Sequence, residues 1–406
     1  MNVKTDKGNS TANKLILLFA CTYMVSYLTR INYGTIISAM VNQTGFAKDS
    51  LSMALTGSFI TYGVGQIISG ILGDRFSPKK LVACGFIVTI VMNILLPFCV
   101  NPWLMCALWC VNGFAQSFMW PPLVRLMSSM LSVEAYQKAS VRVSWGSSVG
   151  TILLYLCSPL ILSILSWQWV FWICAACGIC MLLVWLKAAP NGEVKQTVKP
   201  QNMQSKNLKG IFSPLMIAIM VAIALQGMLR DGVTTWMPSY ISETYHLDSG
   251  VSILSGVLLP LFSILSFQVS SRMYGGRLKS PVSCSAIIFA MGTVAAFGLF
   301  LINGTSAAVS VLLSALLTGC MHGVNLMLIC MIPPFFKREG NVSTVSGVLN
   351  SCTYVGSAVS TYGIALLSEW IGWRYTVLLW CAIAAAGGII CLICMPVWNK
   401  KYGVND

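Results

Sequence analysis

A chain of 406 residues that is 56% hydrophobic and only 9% charged cannot solvate a globular surface, since an ordinary soluble domain carries roughly 25% charge. Lipid must be the solvent for most of it. The formal net charge of +14 would suit a nucleic-acid binder, but the placement of that charge excludes one: all but four of the 25 lysines and arginines fall on one side of successive apolar runs.

Those runs have the roughly 20-residue length that crosses a bilayer. In chain order they predict helices over 14–40, 50–73, 81–100, 102–126, 139–166, 167–187, 213–241, 250–274, 281–302, 305–334, 342–368 and 372–397. The apolar stretches are continuous rather than alternating, which argues against strands. The basic residues collect in the N-terminal tail (1–13), in the loops after helices 2, 4, 6, 8 and 10, and in the C-terminal tail (398–406). Only Lys48 and Arg374 fall on the opposite side, and Arg30 and Arg230 lie inside helices. This asymmetry is the positive-inside signal. It predicts an all-α, multi-pass protein of the cell inner (plasma) membrane with both termini cytoplasmic. No cleavable signal peptide is expected, because the first apolar run leads into a full span without a small-residue cleavage site.

Helix 1 carries Tyr23, Tyr27 and Arg30 at i, i+4 and i+7, which places them on one face. A mid-helix arginine costs about 2.5–3.5 kcal/mol on insertion scales, so such residues usually face a wet cavity and handle ions or substrate. Helix 2 has Tyr62 and Gln66 on one face and runs into Gly70-Ile-Leu-Gly73-Asp74-Arg75-Phe-Ser-Pro-Lys79-Lys80. There the Asp–Arg pair can cap and clamp helix ends. Helix 4 reads Asn112-Gly113-Phe-Ala-Gln116-Ser-Phe-Met-Trp120-Pro121-Pro122-Leu-Val-Arg125. Helix 5 has Ser144, Ser147, Ser148 and Thr151 at helical spacing, which fits helix packing as well as a binding face. Each tyrosine likewise fits an interfacial or packing role.

A polar segment, 188–212, with Pro190, Pro200 and Lys195, Lys199, Lys206 and Lys209, separates a first half (14–187) from a second (213–397). Helix 7 then reads Arg230-Asp231-Gly232-Val-Thr-Thr-Trp236-Met-Pro238-Ser-Tyr240. Helix 10 has His322 and Asn325 at i, i+3, and helix 11 has Tyr354. The halves echo one another. Pro121-Pro122 with Arg125 corresponds to Pro333-Pro334 with Lys337, Gly150-Thr151 to Gly356-Ser357, and Arg30 to Arg230. Arginine binds carboxylate or phosphate oxygens bidentately and stays charged. Two arginines, one from each half, would therefore hold a single dianion. The sixteen cysteines, among them Cys174, Cys177, Cys180, Cys391 and Cys394, have no His or carboxylate company and read as small packing residues. The sequons at Asn42 and Asn303 fall in very short outside loops and read as chance matches. No metal or cofactor is expected.

Two six-helix repeats joined by a basic loop resemble the major facilitator superfamily, and the 70–80 loop matches that family's G-x-L-x-D-R-x-x-x-K-K. In this family the halves are related by pseudo-two-fold symmetry, and substrate crosses by alternating access. More narrowly, Tyr27-Leu-Thr-Arg30-Ile-Asn-Tyr33 and the helix-4 and helix-7 motifs resemble the organophosphate:phosphate antiporters, the glycerol-3-phosphate and hexose-6-phosphate transporters. The resemblance implies that Arg30 and Arg230 bind phosphate and that Tyr23, Tyr27, Tyr62 and Tyr354 line the site. The chain departs from that pattern at Gln66, where the family has lysine, at Ser147, where it has histidine, and at Asp231 beside the helix-7 arginine.

The leading expectation is a monomeric carrier, not an enzyme, whose partners are the bilayer and a small anion. A sugar phosphate or glycerol phosphate would exchange for inorganic phosphate. The first alternative is a proton-coupled organic-anion symporter for hexuronate-like carboxylates, with Asp231 and His322 as candidate proton-coupling residues. The second is a transporter-like sensor of sugar phosphates.

Overall fold

The computed structural model describes residues 3–190, 210–246, 258–276 and 278–403. Twelve α-helices run through them: α1 (Val3–Thr44), α2 (Lys48–Gly73), α3 (Pro78–Leu95), α4 (Pro102–Gln116), α5 (Trp120–Met130), α6 (Val133–Ile164), α7 (Gln168–Ala188), α8 (Pro214–Tyr245), α9 (Leu258–Gly275), α10 (Pro281–Leu301), α11 (Ala307–Asn325) and α12 (Val342–Tyr402). No strand occurs among the described residues. Several starts follow one local rule. Asn101, Ser213 and Ser280 accept a backbone N–H of the first turn, each followed by Pro at the first helical position, where the missing N–H is no loss.

Nine helices among the described residues are long and apolar enough to cross a membrane. The other three predicted spans correspond to α4 with α5, to α9, and to the arm of α12 before Gly372. At Gly372 the chain turns through φ 76 and ψ 165, which splits α12 into the two predicted helices 342–368 and 372–397. Most of the predicted linker, 191–209, and the start of predicted helix 8, 250–257, lie outside the described residues. The ends differ from expectation: α1 reaches back to Val3, within the expected tail, and α12 extends to Tyr402.

Predicted helix 4 is not continuous. Between α4 and α5 the backbone tightens, with Ser117, Phe118 and Met119 donating three residues back to Phe114, Ala115 and Gln116. The reason is Pro121-Pro122. Each ring lacks an N–H and crowds the carbonyl four residues earlier, so the α ladder cannot pass through Ser117 and Phe118. The second half repeats the device. The α-helix of predicted helix 10 ends at Asn325, passes through a π-helical turn at Leu326–Cys330, and reaches a 3-10 turn at Pro333–Phe336.

The chain forms two compact units, Met1–Lys206 with Phe336–Val348, and Asn207–Phe335 with Leu349–Asp406. In the first, α1 packs along α6 at glycine contacts. A Cβ on Gly146 would lie 2.6 Å from the Ala20 carbonyl oxygen, and one on Gly150 would lie 2.8 Å from that of Met24. Its core is aromatic, with Trp109 tilted against Tyr33 and edge-on to Phe171 at centroid separations of 5.2 and 5.7 Å. In the second unit α8 and the first arm of α12 meet in the same way. Gly356 lies against the Ala224 carbonyl and Gly227 against that of Thr353. Small residues are what allow helices to approach closely in lipid, where no hydrophobic force drives them together. Gly356→Ala is therefore expected to destabilise the protein by about 1–3 kcal/mol through overpacking against immovable backbone. A thermal-unfolding midpoint in detergent equal to that of the parent would rule this contact out.

Candidate functional site

In the first unit, Arg30 stands where its helical spacing predicts, on the face that carries Tyr23 and Tyr27. Its guanidinium lies 4.2 Å from the Tyr27 ring centroid and 4.5 Å from that of Tyr62 on α2. Cation–π contacts of this kind are worth about 0.5–2 kcal/mol, more when desolvated. They also fix the plane of the fork. Tyr23 packs on Tyr27 at 5.2 Å and on Trp120 at 5.1 Å, so one aromatic wall runs from α5 to the arginine.

The opposite face of α1 is clamped at Thr29, the residue before Arg30. Its carbonyl accepts from Asn93 Nδ2 at 3.1 Å and from Asn112 Nδ2 at 3.2 Å, and its hydroxyl oxygen accepts from Gln116 Nε2 at 2.9 Å. Asn93 Oδ1 in turn accepts from Asn32 Nδ2 at 2.8 Å. All five residues are fully or almost fully buried. Two helices, α3 and α4, thereby set the rotation and height of α1 at the position where its charge emerges.

Gln66 lies one turn beyond Tyr62 and is completely buried, yet neither atom of its side-chain amide has a hydrogen-bond partner among the described residues. Buried polar groups are rarely left so, and each exception calls for an explanation. A binding role supplies one. Gln66→Met, which keeps the volume and removes the stranded amide, is expected to raise stability by about 1–2 kcal/mol while weakening ligand binding. The check is a melting curve with and without ligand, and a fall in both would show Gln66 to be structural. Ser147 behaves otherwise. Its hydroxyl donates to Ser144 O of its own helix at 2.7 Å, and its carbonyl accepts from Thr151. Both bonds lie within its own helix.

In the loop motif Asp74 takes the helix-capping part expected of the Asp–Arg pair. Asp74 approaches Arg125 of α5, at 4.0 Å, while Arg75 is exposed. Arg125 also donates to the carbonyls of Gly73 and Phe76. The Asp74 carboxylate accepts from the backbone N–H groups of Ser343 and Thr344, at 3.0 and 2.7 Å, in the first turn of α12. This is a carboxylate on a positive helix end. Burial pushes its carboxyl above the usual range against the pull of Thr344, Ser343 and Arg125. Gly70 lies against Ser343 and Thr344 with no room for a side chain. Lys79 contributes its carbonyl to the Trp185 indole at 3.1 Å, and Lys80 is exposed.

In the second unit, Arg230 forms a bidentate pair with its neighbour: Nε to Asp231 Oδ1 at 2.6 Å and Nη2 to Oδ2 at 2.8 Å. Ser357 of α12 donates to the same Oδ2 at 2.5 Å. His322, half-buried on α11 and edge-on to Phe267 at 5.5 Å, is close enough to act electrostatically on both charges. Asn325 is half-buried at the end of α11, where the π-helical turn begins. Tyr354 is half-buried on α12, three residues before Ser357. Four residues before Arg230, Gln226 Nε2 donates to Met321 O at 3.0 Å and ties α8 to α11.

Sequence reasoning thus singled out both arginines and their immediate aromatic or acidic neighbours, quoted Thr29, Trp120 and Ser357 only within motifs and repeats, and missed Asn93. Asn112 and Gln116 were visible as a motif without a role. A lone asparagine in an apolar helix, as at Asn93, is the signal that could have pointed to the network.

A profile described as Major Facilitator Superfamily matches residues 19–361. The membrane sensor protein UhpC of Salmonella typhimurium is 23% identical over 405 residues, covering 93% of this chain and 90% of that protein. The glycerol-3-phosphate transporter of Bacillus subtilis is 25% identical over 312 residues, covering 69% of each. Among solved structures, the proton:xylose symporter XylE superposes with a TM-score of 0.78 at 10% identity, over 96% of both chains.

Proposed function

From the premise that this chain belongs to the Major Facilitator Superfamily, and is accordingly a multi-pass membrane transporter rather than an enzyme, we propose that it exchanges a small organic phosphate for inorganic phosphate by alternating access. Arg30 and Arg230 bind the anion, Tyr23, Tyr27, Tyr62, Gln66 and Tyr354 line its path, and His322 and Asn325 contribute polar contacts. The observation that carries this reading is the Arg30 guanidinium held against the rings of Tyr27 and Tyr62. An arginine oriented by its faces presents its N–H edge in the geometry that carboxylate and phosphate oxygens take bidentately. The similarity to a glycerol-3-phosphate transporter supports phosphate in particular. The basic residues gathered on one side support an inner-membrane protein with both termini cytoplasmic.

Exchange follows from electrostatics. An empty carrier must carry the excess positive charge of its arginines over Asp231 through reorientation, at several kcal/mol for a desolvated charge, and a bound anion lowers that cost. The test is counterflow in proteoliposomes loaded with phosphate. Labelled glycerol 3-phosphate should enter only against internal anion. Rapid net efflux into anion-free medium would overturn the exchange reading.

A second reading is ligand sensing, favoured by the similarity to the membrane sensor protein UhpC. Its signature is stabilisation of the purified protein by a sugar phosphate with no measurable flux.

A further inference from the structure

Arg230 and Asp231 are consecutive on α8, and consecutive residues on a helix do not face each other. Their pair, Nε to Oδ1 at 2.6 Å and Nη2 to Oδ2 at 2.8 Å, therefore requires the arginine side chain to fold sideways around the helix toward its neighbour. Asp231 is held in turn from α12. The Ser357 oxygen lies 2.5 Å from Asp231 Oδ2, 2.9 Å from the Thr353 carbonyl oxygen and 3.5 Å from that of Gly227. A hydroxyl has one proton to donate, and the charged acceptor at the shortest distance takes it most strongly.

The place of this bond is fixed on both sides. Before it along the helices, Gly356 lies against the Ala224 carbonyl and Gly227 against that of Thr353. Beyond it, a Cβ on Gly232 would lie 3.0 Å from Ser360 Cβ. α8 and α12 thus touch closely around the hydroxyl and the carboxylate, and a slide of one helix along the other would part them. The arginine and aspartate side chains are only 14% and 32% exposed, so water does not weaken the pair as it weakens an open surface pair.

We infer that Ser357 is a positioning residue for the anion: through Asp231 it fixes the direction and plane of the Arg230 guanidinium. This rests on the reading that Arg230 binds the substrate anion. An arginine that is not held loses rotamer freedom when an anion immobilises it, and one held beforehand loses less. The charge of Asp231 also opposes an incoming anion. Serine is uncharged, so removing its hydroxyl leaves both charges in place and separates positioning from charge.

The test is the affinity of the purified full-length protein for glycerol 3-phosphate, inorganic phosphate and glucuronate, read by intrinsic tryptophan fluorescence well below the unfolding midpoint. For Ser357→Ala the affinity should fall about threefold to tenfold, the cost of ordering one more side chain on binding. Ser357→Thr, which keeps the hydroxyl, should stay within about twofold of the parent. In an Arg230→Lys background there is no planar fork to hold, and Ser357→Ala should cost less than about twofold. A packing role alone would lower the unfolding midpoint without this dependence on the guanidinium.

Parental affinity in Ser357→Ala overturns the inference. Tighter affinity does so too, and shows Asp231 competing for the arginine. An equal loss in the parent and Arg230→Lys backgrounds also overturns it. Should Ser357→Ala fail to fold, Asp231→Glu decides. It keeps the charge, but its longer stem carries the carboxylate past the Ser357 hydroxyl. Affinity should fall again, and parental affinity overturns the inference. Binding that is lost in Arg230→Ala yet unmoved in Ser357→Ala overturns this inference alone. Failure of the parent to bind any of the three anions, or binding that survives Arg230→Ala, overturns the reading it rests on and this inference with it.

Discussion

Arg30→Lys should weaken binding of glycerol 3-phosphate by roughly 30-fold or more, about 2 kcal/mol, although it preserves the charge. Lysine is a point charge on a flexible stem. It has no planar face for the Tyr27 and Tyr62 rings, which lie 4.2 and 4.5 Å from the arginine carbon, and no fork to match two oxygens. Arg30→Ala should lose more, up to about 5 kcal/mol, because the charge goes as well. Both variants should fold, since membrane-embedded charge is itself costly and its removal relieves that cost. The measurement is ligand-induced thermal shift alongside counterflow. A lysine variant with parental affinity would show that only charge matters at this position and that the stacked geometry is incidental.

Asn93→Leu should act at one remove. Its side chain makes three hydrogen bonds, to Asn32, the Thr29 carbonyl and the Thr89 carbonyl. Side-chain hydrogen bonds between membrane helices average about 0.6 kcal/mol. Leucine also strands the Asn32 amide in an apolar interior, so the total loss of stability should be about 2–3 kcal/mol. The Thr29 carbonyl keeps Asn112, and the helix should therefore persist. Its rotation at Arg30 is then less constrained, and ligand affinity measured well below the unfolding midpoint should fall as well. Asn93→Leu combined with Asn112→Ala should couple non-additively, because both amides serve one carbonyl. Full affinity in the single variant, despite lowered stability, would confine the network to folding.

The arginines were legible because charge within apolar runs is costly, and so conspicuous against the pattern. The aromatic face of α1 followed from the 3.6-residue repeat alone. Pro121-Pro122 and Pro333-Pro334 were legible as a repeat, but their effect was not. Where the ladder breaks depends on which carbonyls the rings meet, and the first pair tightens the chain at 117–119 while a π-helical turn precedes the second. Ser147 stands where the resembled family has histidine, and its hydroxyl bonds to its own helix. Asp74 reads in sequence as a helix-capping residue, and it caps the first turn of α12, but its arginine neighbour there, Arg125, could not be read from the linear order.

By itself the sequence determined the solvent, the helical class and the presence of two arginines, Arg30 and Arg230, within apolar helices. These depend on composition and on spacing along the chain, which lipid reads directly. Tertiary structure alone decided what each arginine touches. Arg30 meets two tyrosine rings, one of them on another helix, while Arg230 meets the carboxylate beside it, held in turn by Ser357. Those partners depend on distances across helix interfaces, set by glycine contacts and buried amides, and residues such as Asn93 or Ser357 carry no mark of them in the linear order.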